Sequence, residues 1–181
     1  MKVYILFIAV FVSMMQTVEA AKVQIDPLNS TVNIGESFTV DIVGIAFPET
    51  QGGGFNLTYD ADILNITNVS IDEANTWTFY NDLGTVDNVN GELKEVRVSD
   101  FPGVTGDFTV ATIGFLAIGL GTSRLNLTES AGNPWASNGS IISPALINDS
   151  SVQVVPLPGA VWLLGSGLLA LISVSMRKAD K

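Results

Sequence analysis

The 181 residues of this chain include no histidine and no cysteine, so carboxylates are the first residues to consider for chemistry. Asp60 and Asp62 lie two positions apart at the end of a predicted strand. Oxygen ligands in a turn can hold Ca²⁺, so this pair is the candidate metal site and calcium the one candidate cofactor. The alternative is a β-turn in which the two Asp side chains accept hydrogen bonds from nearby backbone N–H groups.

The same inventory excludes several classes of enzyme. Without histidine or cysteine, no Ser-His-Asp triad, no Cys-His pair and no histidine-ligated zinc site can form. A glycosidase would need two acids about 5 to 10 Å apart across the sugar bond. The chain has 18 acidic residues, so such pairs arise by chance, and no motif gives an acid and a base distinct surroundings. We therefore predict a non-enzymatic protein, with a glycan hydrolase as the less favoured alternative.

Aromatic side chains are the second group that could bind a ligand. Flat rings on an exposed sheet can stack on sugar faces, and Trp77, Tyr80 and Trp135 are the candidates for this role. Trp77 and Phe79 fall on one face of a predicted strand, with Tyr80 on the other. Packing in the core is the alternative for aromatic residues at alternating positions, and it is the interpretation that we favour for Phe79.

The part of the chain that positions these residues is acidic. Residues 21–155 contain 16 acids and 4 bases, which gives a net charge of −12. Such a surface repels nucleic acid and anionic lipid headgroups, so neither is a predicted partner. A segment of this length is one ordinary domain, large enough to form a core without disulfides.

Alternating apolar residues predict an all-β domain here. Phe38, Val40 and Ile42 share one face of a predicted strand, and the same pattern recurs at 55–59 and 125–127. Asn90-Gly91, between apolar runs at 85–89 and 92–99, predicts a two-residue hairpin turn. Residues 109–120 are apolar on both faces, which is typical of a central strand that is covered on both sides.

Both ends of the chain carry membrane-active patterns. At the front, an apolar run over 3–15 follows Lys2 and precedes small residues at Val18 and Ala20, which predicts a signal peptide over 1–20 that is cleaved between Ala20 and Ala21. An uncleaved anchor helix is the alternative. At the back, residues 159–176 are uncharged and long enough to span a bilayer as a helix. Arg177 and Lys178, at the start of the basic tail 177–181, then favour a cytoplasmic stop.

The order of features in residues 155–181 resembles the PEP-CTERM sorting signal of Gram-negative bacteria. The proline motif is Val155-Pro156-Leu157-Pro158, with Leu157 where that signal usually has Glu. The resemblance implies processing by an exosortase, a membrane transpeptidase similar to cysteine proteases. It also implies a transient stay in the inner membrane, followed by delivery to the cell surface or the extracellular matrix. A plain single-span anchor that carries a periplasmic or surface domain is the alternative.

The middle of the chain resembles a cohesin domain. The resemblance rests on three segments in order: Ser30 to Val43, around Val-x-x-Gly-Glu-x-Phe-x-Val; Gly54 to Leu64, with its Tyr-Asp turn; and Phe108 to Leu127. It implies a nine-stranded jelly-roll β-sandwich over residues 21–154. In cellulosomes, such domains bind dockerins.

These patterns together predict an exported, non-enzymatic surface or matrix protein of a Gram-negative bacterium. Its role would be adhesive, structural or carbohydrate-binding, with polysaccharide as a candidate partner. The alternative is a cohesin-type module that captures a dockerin-like protein.

Overall fold

The computed structural model describes residues 20–157 and residue 159, and this part of the chain is all-β. The predicted signal peptide lies outside the described residues except for Ala20, as do Pro158, residues 160–176 and the basic tail. In the part that is described, no helix is long and apolar enough to cross a membrane. The strands there are β1 Lys22–Asp26, β2 Asn29–Asn33, β3 Ser37–Thr58, β4 Leu64–Ser70, β5 Thr85–Asp87, β6 Glu92–Ala117, β7 Gly121–Glu129, β8 Ala136–Ser137, β9 Ser140–Ile141, β10 Ala145–Ile147 and β11 Ser150–Val155.

Two sheets face each other and share the long strands β3 and β6. The first sheet has the order β10-β1-β3-β6-β4 and uses the first half of β3 with the second half of β6. The second sheet has the order β2-β11-β7-β3-β6-β5 and uses the other halves of the same two strands. The pair β3 and β6 therefore connects the two layers of a sandwich.

β3 and β6 pass from one sheet to the other at one end of the sandwich, which we call the bend end. It consists of residues 46–52 of β3 and 99–106 of β6, where the pairing slips repeatedly between Ile42 and Gly52. Bulges of this kind bend a strand and increase its twist. Gly52, with φ of 149°, faces the Val98 carbonyl oxygen so closely that a Cβ atom would lie 2.3 Å from it. The close approach of the two bending strands thus requires glycine at this position.

The two ends of the described chain leave the sandwich at opposite ends. Lys22 opposite Ile45 places the start of β1 at the bend end. Val155 opposite Asn33 places the end of β11 at the other end, which we call the tail end. Ile34 N–H donates to the Val155 carbonyl oxygen at 2.9 Å, so Val155 is part of the sheet. The predicted boundary after residue 154 therefore falls inside β11.

The core lies between the sheets and contains the alternating residues that the sequence indicates. Val40, Ile42, Phe55, Leu57 and Leu125 are buried, as expected for inward positions. The predicted central strand over 109–120 corresponds to the second half of β6, which pairs with β3 on one side and β4 on the other. The strand ends at Ala117, however, and Ile118 and Leu120 are exposed, so the prediction is too long and its coverage on both faces is wrong for these residues. The β-sandwich prediction is thus confirmed.

Three details differ from the predictions. The described residues contain eleven strands instead of nine, and the additional ones include the two-residue strands β8 and β9. The Asn90-Gly91 hairpin exists, but Asp87 pairs with Glu92, so its loop has four residues. Asp87 Oδ1 accepts from the N–H groups of Val89 and Asn90, both at 3.0 Å, and this closes the longer loop. Residues 77–80 are not a strand.

Candidate functional site

An exposed groove at the bend end gathers three aromatic rings. Phe79, Tyr80 and Phe101 are 75%, 61% and 73% exposed. The groove has a volume of about 360 Å³, and we call it the aromatic groove; it is lined by Gln51, Phe79, Tyr80, Ser99, Asp100 and Phe101. Large rings that are this exposed and this close together are uncommon on a domain surface and mark a candidate binding site.

The segment that carries Phe79 and Tyr80 is tied to β6 by hydrogen bonds. Ser99 Oγ donates to the Tyr80 carbonyl oxygen at 2.6 Å and accepts from Tyr80 N–H at 3.0 Å. Phe79 N–H donates to the Ser99 carbonyl oxygen at 3.2 Å. Asn81 Nδ2 donates to the Trp77 carbonyl oxygen, and Asn81 Oδ1 accepts from Ser99 N–H at 2.9 Å. The backbone that carries the two rings is therefore held in place, although the side chains are exposed.

Asp100 connects this segment to the bend of β6 that carries Phe101. Its Oδ1 accepts from Thr78 Oγ1 at 2.6 Å and from Thr78 N–H at 3.3 Å. The Thr78 hydroxyl is the largest cause that lowers the pKa of Asp100 below its usual value, and the N–H groups of Thr78, Gly103 and Phe101 lower that pKa further. The carboxylate is thus stabilised in its charged form between the two loops.

Arg97 supports Tyr80 from the side of the sheet. Its guanidinium carbon lies 4.5 Å from the centre of the Tyr80 ring, which is a cation–π contact. The same guanidinium lies 3.7 Å from Asp82 Oδ2, and the backbones of Arg97 and Asp82 exchange two hydrogen bonds. The ring position is therefore fixed by charge as well as by the backbone.

Two of the predicted stacking residues are in the core instead. Trp77 and Trp135 are both 0% exposed, so neither can contact a glycan, and the prediction is wrong for them. Trp77 Nε1 donates to the Thr109 carbonyl oxygen at 2.8 Å. The ring centres of Trp135 and Phe47 lie 5.1 Å apart. A Cβ atom on Gly53 would lie 2.2 Å from the indole of Trp135. The indoles fill the space between the sheets at the bend end.

The structure places both Phe79 and Phe101 on the surface, which contradicts the prediction for Phe79. Phe79 was expected in the core as part of a strand, but it lies in a loop and is exposed. Phe101 precedes Pro102-Gly103, and such a sequence is typical of a turn, which exposes its neighbouring side chains. That turn signal could have identified Phe101 as a surface residue. Tyr80, the third predicted stacking residue, is exposed as the prediction requires.

Asp60 and Asp62 lie in a tight turn between β3 and β4. Asp60 Oδ1 accepts from Asp62 N–H at 3.0 Å, and the Asp60 carbonyl oxygen accepts from Ile63 and Leu64. Asp60 N–H donates to Ser123 Oγ at 2.9 Å. These contacts are those of a structural turn. Across residues 20–157, no three acidic side chains come together as a metal site, and calcium binding at this pair stays a prediction.

The residues of the predicted processing sites lie at opposite ends of the sandwich. Ala20 is exposed, whereas Ala21 is half-buried and its carbonyl oxygen accepts from Ala145 N–H at 2.9 Å. Pro156 and Leu157 follow β11 at the tail end and are exposed. The predicted signal-peptide cleavage position and the predicted sorting motif thus directly adjoin the folded sheets.

The second sheet also has a broad polar outer face. We call it the second-sheet face and define it by Asn56, Thr58, Lys94, Asn126 and Thr128, which lie on the neighbouring strands β3, β6 and β7. A depression of about 280 Å³ lies at its centre. Lys94 forms an ion pair there with Glu92, which raises the pKa of Lys94.

Comparisons with known proteins identify the architecture. No protein-family model matches the sequence, and no curated protein matches it significantly. Among solved structures, 31 chains match. A cohesin domain from a type I cohesin–dockerin complex of Clostridium thermocellum has a TM-score of 0.63 and 14% identity, over 76% of this chain and all of that one. A non-cellulosomal cohesin of Archaeoglobus fulgidus has a TM-score of 0.63 and 17% identity, over 78% of this chain and 96% of that one.

The domain has the cohesin fold. A further match, the sixth cohesin of Acetivibrio cellulolyticus scaffoldin B in complex with a Cel5 dockerin, has a TM-score of 0.59 and 15% identity, over 76% of this chain and all of that one. The resemblance that the sequence shows to cohesins is therefore confirmed for the fold. The cohesin-like domain accounts for the described residues, and the sorting signal stays a prediction.

Proposed function

We propose that this cohesin-like domain is a non-enzymatic module that binds a dockerin-like protein. The observation that carries the proposal is the cohesin fold, since two of the similar structures are cohesins in complex with dockerins. A fold alone does not fix a function, so the proposal also needs a suitable surface. The pKa is clearly lowered for three described carboxyls, those of Glu36, Asp87 and Asp100. A general acid needs a raised pKa, so these shifts do not favour catalysis.

The second-sheet face is the surface that we propose for this partner. Lys94 and Arg124 lie on its strands, although residues 21–155 contain only 4 basic residues. Exposed amides, hydroxyls and charges of both signs offer hydrogen bonds and electrostatic complementarity to a protein. The outer face of the first sheet carries acids such as Asp41 and Asp107, together with the base Lys22 on β1. A stable protein interface buries about 800 Å² on each partner, and a sheet face of several strands can supply this area.

A charge placed on each face in turn tests this proposal. We expect Thr128→Arg, at an exposed position of β7, to weaken binding of a dockerin panel by at least about tenfold, since an unmatched charge would be buried. Thr39→Arg, at an exposed position of the first sheet, is the matched control and should bind normally. The measurement is calorimetric titration of the full chain. Dockerins that fail to bind the unmodified chain, or that bind both variants equally, would contradict the proposal.

We also propose that the protein is exported and delivered to the surface by its C-terminal segment. Support comes from the signal-peptide pattern and from Val155-Pro156-Leu157-Pro158 before the apolar run. The test is a truncation after Leu157, which leaves β11 intact. We expect the truncated protein to be secreted and lost from the cell surface. Leu157→Glu, which creates the usual motif, should be processed at least as fast. Unchanged surface delivery of the truncated chain would exclude the sorting role.

A further inference from the structure

We propose that the aromatic groove is a binding site for a neutral carbohydrate, with Phe79, Tyr80 and Phe101 as the stacking residues. This site lies at the bend end and shares no lining residue with the second-sheet face. It is a function in addition to protein binding, and the two can be tested separately.

The composition of the groove fits a sugar. The three rings supply flat apolar surfaces. The polar side chains at the same groove are already hydrogen-bonded within the protein: Gln51 to Pro102 and Asn138, Ser99 to Tyr80, and Asp100 to Thr78. Ligand sites typically combine mostly apolar and aromatic walls with a few placed polar groups, in about 300 to 1,000 Å³. The volume of about 360 Å³ lies at the small end of that range, so the groove would hold a short stretch of a longer glycan.

The charges favour a neutral sugar over an acidic one. Asp100 is the one residue with a charged side chain at neutral pH among the six lining residues, and its carboxylate is kept charged by Thr78. The guanidinium of Arg97 already contacts the Tyr80 ring and Asp82. With a net charge of −12 over residues 21–155, the domain would repel a uronic-acid polymer.

The groove is also organised before any ligand arrives. Ser99 Oγ bonds both the N–H group and the carbonyl oxygen of Tyr80. Asp100 joins Thr78 to the bend of β6 at Phe101. Binding therefore does not have to order these loops, which lowers its entropic cost. These hydrogen bonds of Ser99 and Asp100 are consistent with a preformed binding site.

Titration with neutral hexasaccharides tests the site. The probes are cellohexaose and laminarihexaose, with a hexamer of galacturonic acid as the acidic comparison. The protein is the full chain in a detergent whose headgroup is not a sugar. We expect saturable binding of at least one neutral probe at millimolar concentrations or below, and weaker binding of the acidic probe.

Alanine substitutions of the three aromatic residues then test whether the sugar binds at the groove. Each of Tyr80→Ala, Phe79→Ala and Phe101→Ala should weaken binding of the neutral probe about three- to tenfold, and the triple variant should abolish it. Val89→Ala removes an equally exposed apolar side chain at the tail-end hairpin and should leave binding unchanged. Thermal unfolding of each variant checks that the fold is retained.

Four results would overturn the inference. Three concern the sugars: no binding of either neutral probe, preferential binding of the acidic probe, or binding that survives the triple variant. Loss of dockerin binding in the triple variant would assign the groove to the protein partner instead, which also overturns it. Sugar binding that persists in Thr128→Arg while dockerin binding is lost would keep the two functions distinct.

Discussion

Asn88 joins three parts of the sandwich through one side chain. Its Oδ1 accepts from Tyr59 Oη at 2.6 Å and from Ile66 N–H at 2.7 Å, while its Nδ2 donates to the Ile66 carbonyl oxygen at 3.0 Å. The residue thereby connects the β5–β6 loop to β3 and β4. Burial raises the pKa of Tyr59, so its hydroxyl stays protonated and able to donate.

We therefore predict that Asn88→Ala lowers the free energy of unfolding by about 1–3 kcal/mol, because it leaves half-buried polar groups without partners. Urea denaturation of the variant measures this. Asn68→Ala, at an exposed position of β4, should change the free energy by less than about 0.5 kcal/mol. Equal effects of the two substitutions would show that the three hydrogen bonds contribute little.

Asp100 gives the aromatic groove a defined response to pH. Because its pKa is lowered in the folded protein from the usual 3.8, its stabilising effect is complete above 3.8 and is lost as the pH falls through the lower, folded value. We expect the pH-dependent shift of the Thr78 amide resonance to have its midpoint below pH 3.8. Asp100→Asn should remove that shift. A midpoint above 3.8 would disprove this interpretation.

The sequence identifies inward residues well but cannot place aromatic residues in loops. Phe55 and Leu57 follow a period of two and are buried as predicted. Trp77 lies outside any strand, so no periodicity applies to it, and its burial depends on the Thr109 carbonyl oxygen 32 positions away. The exposure of Phe79 and Tyr80 depends in the same way on Ser99. Such long-range contacts leave no local pattern to read.

At the scale of elements, the β5–β6 hairpin shows how side chains override a turn signal. Asn90-Gly91 suits a two-residue turn, but Asp87 binds two backbone N–H groups and extends the loop to four residues. Of the two turn residues, Gly91 alone has a positive φ, 69°. The existence of the hairpin was predictable, and its length was not.

The C-terminal strand gives a prediction about where the domain ends. A chain that stops at residue 154 lacks the hydrogen bond between Ile34 N–H and the Val155 carbonyl oxygen, whereas a chain that stops at 157 retains it. We expect the shorter chain to lose about 1 kcal/mol of stability, measured by thermal unfolding of both truncations. Identical melting temperatures would place the end of the domain before Val155.

At the scale of the molecule, the order of weak motifs predicts the fold better than any one of them. The segments 30–43, 54–64 and 108–127 each suit many β-sandwiches, yet together they indicate the cohesin fold that the similar structures share. The binding surfaces do not follow from that order. They depend on which strands lie side by side and on which loops meet at the bend end.

The opposite exits of β1 and β11 decide how the domain would carry a mechanical load. A pull between Lys22 and Val155 acts along the strands, so β1 would slide against β3 and β10, and β11 against β7 and β2. In such shear, the hydrogen bonds of a strand must break together and not one after another. Forced unfolding is governed by the unfolding rate, so this geometry favours a long lifetime under tension. The C-terminal exit and the aromatic groove thus lie at opposite ends of the sandwich.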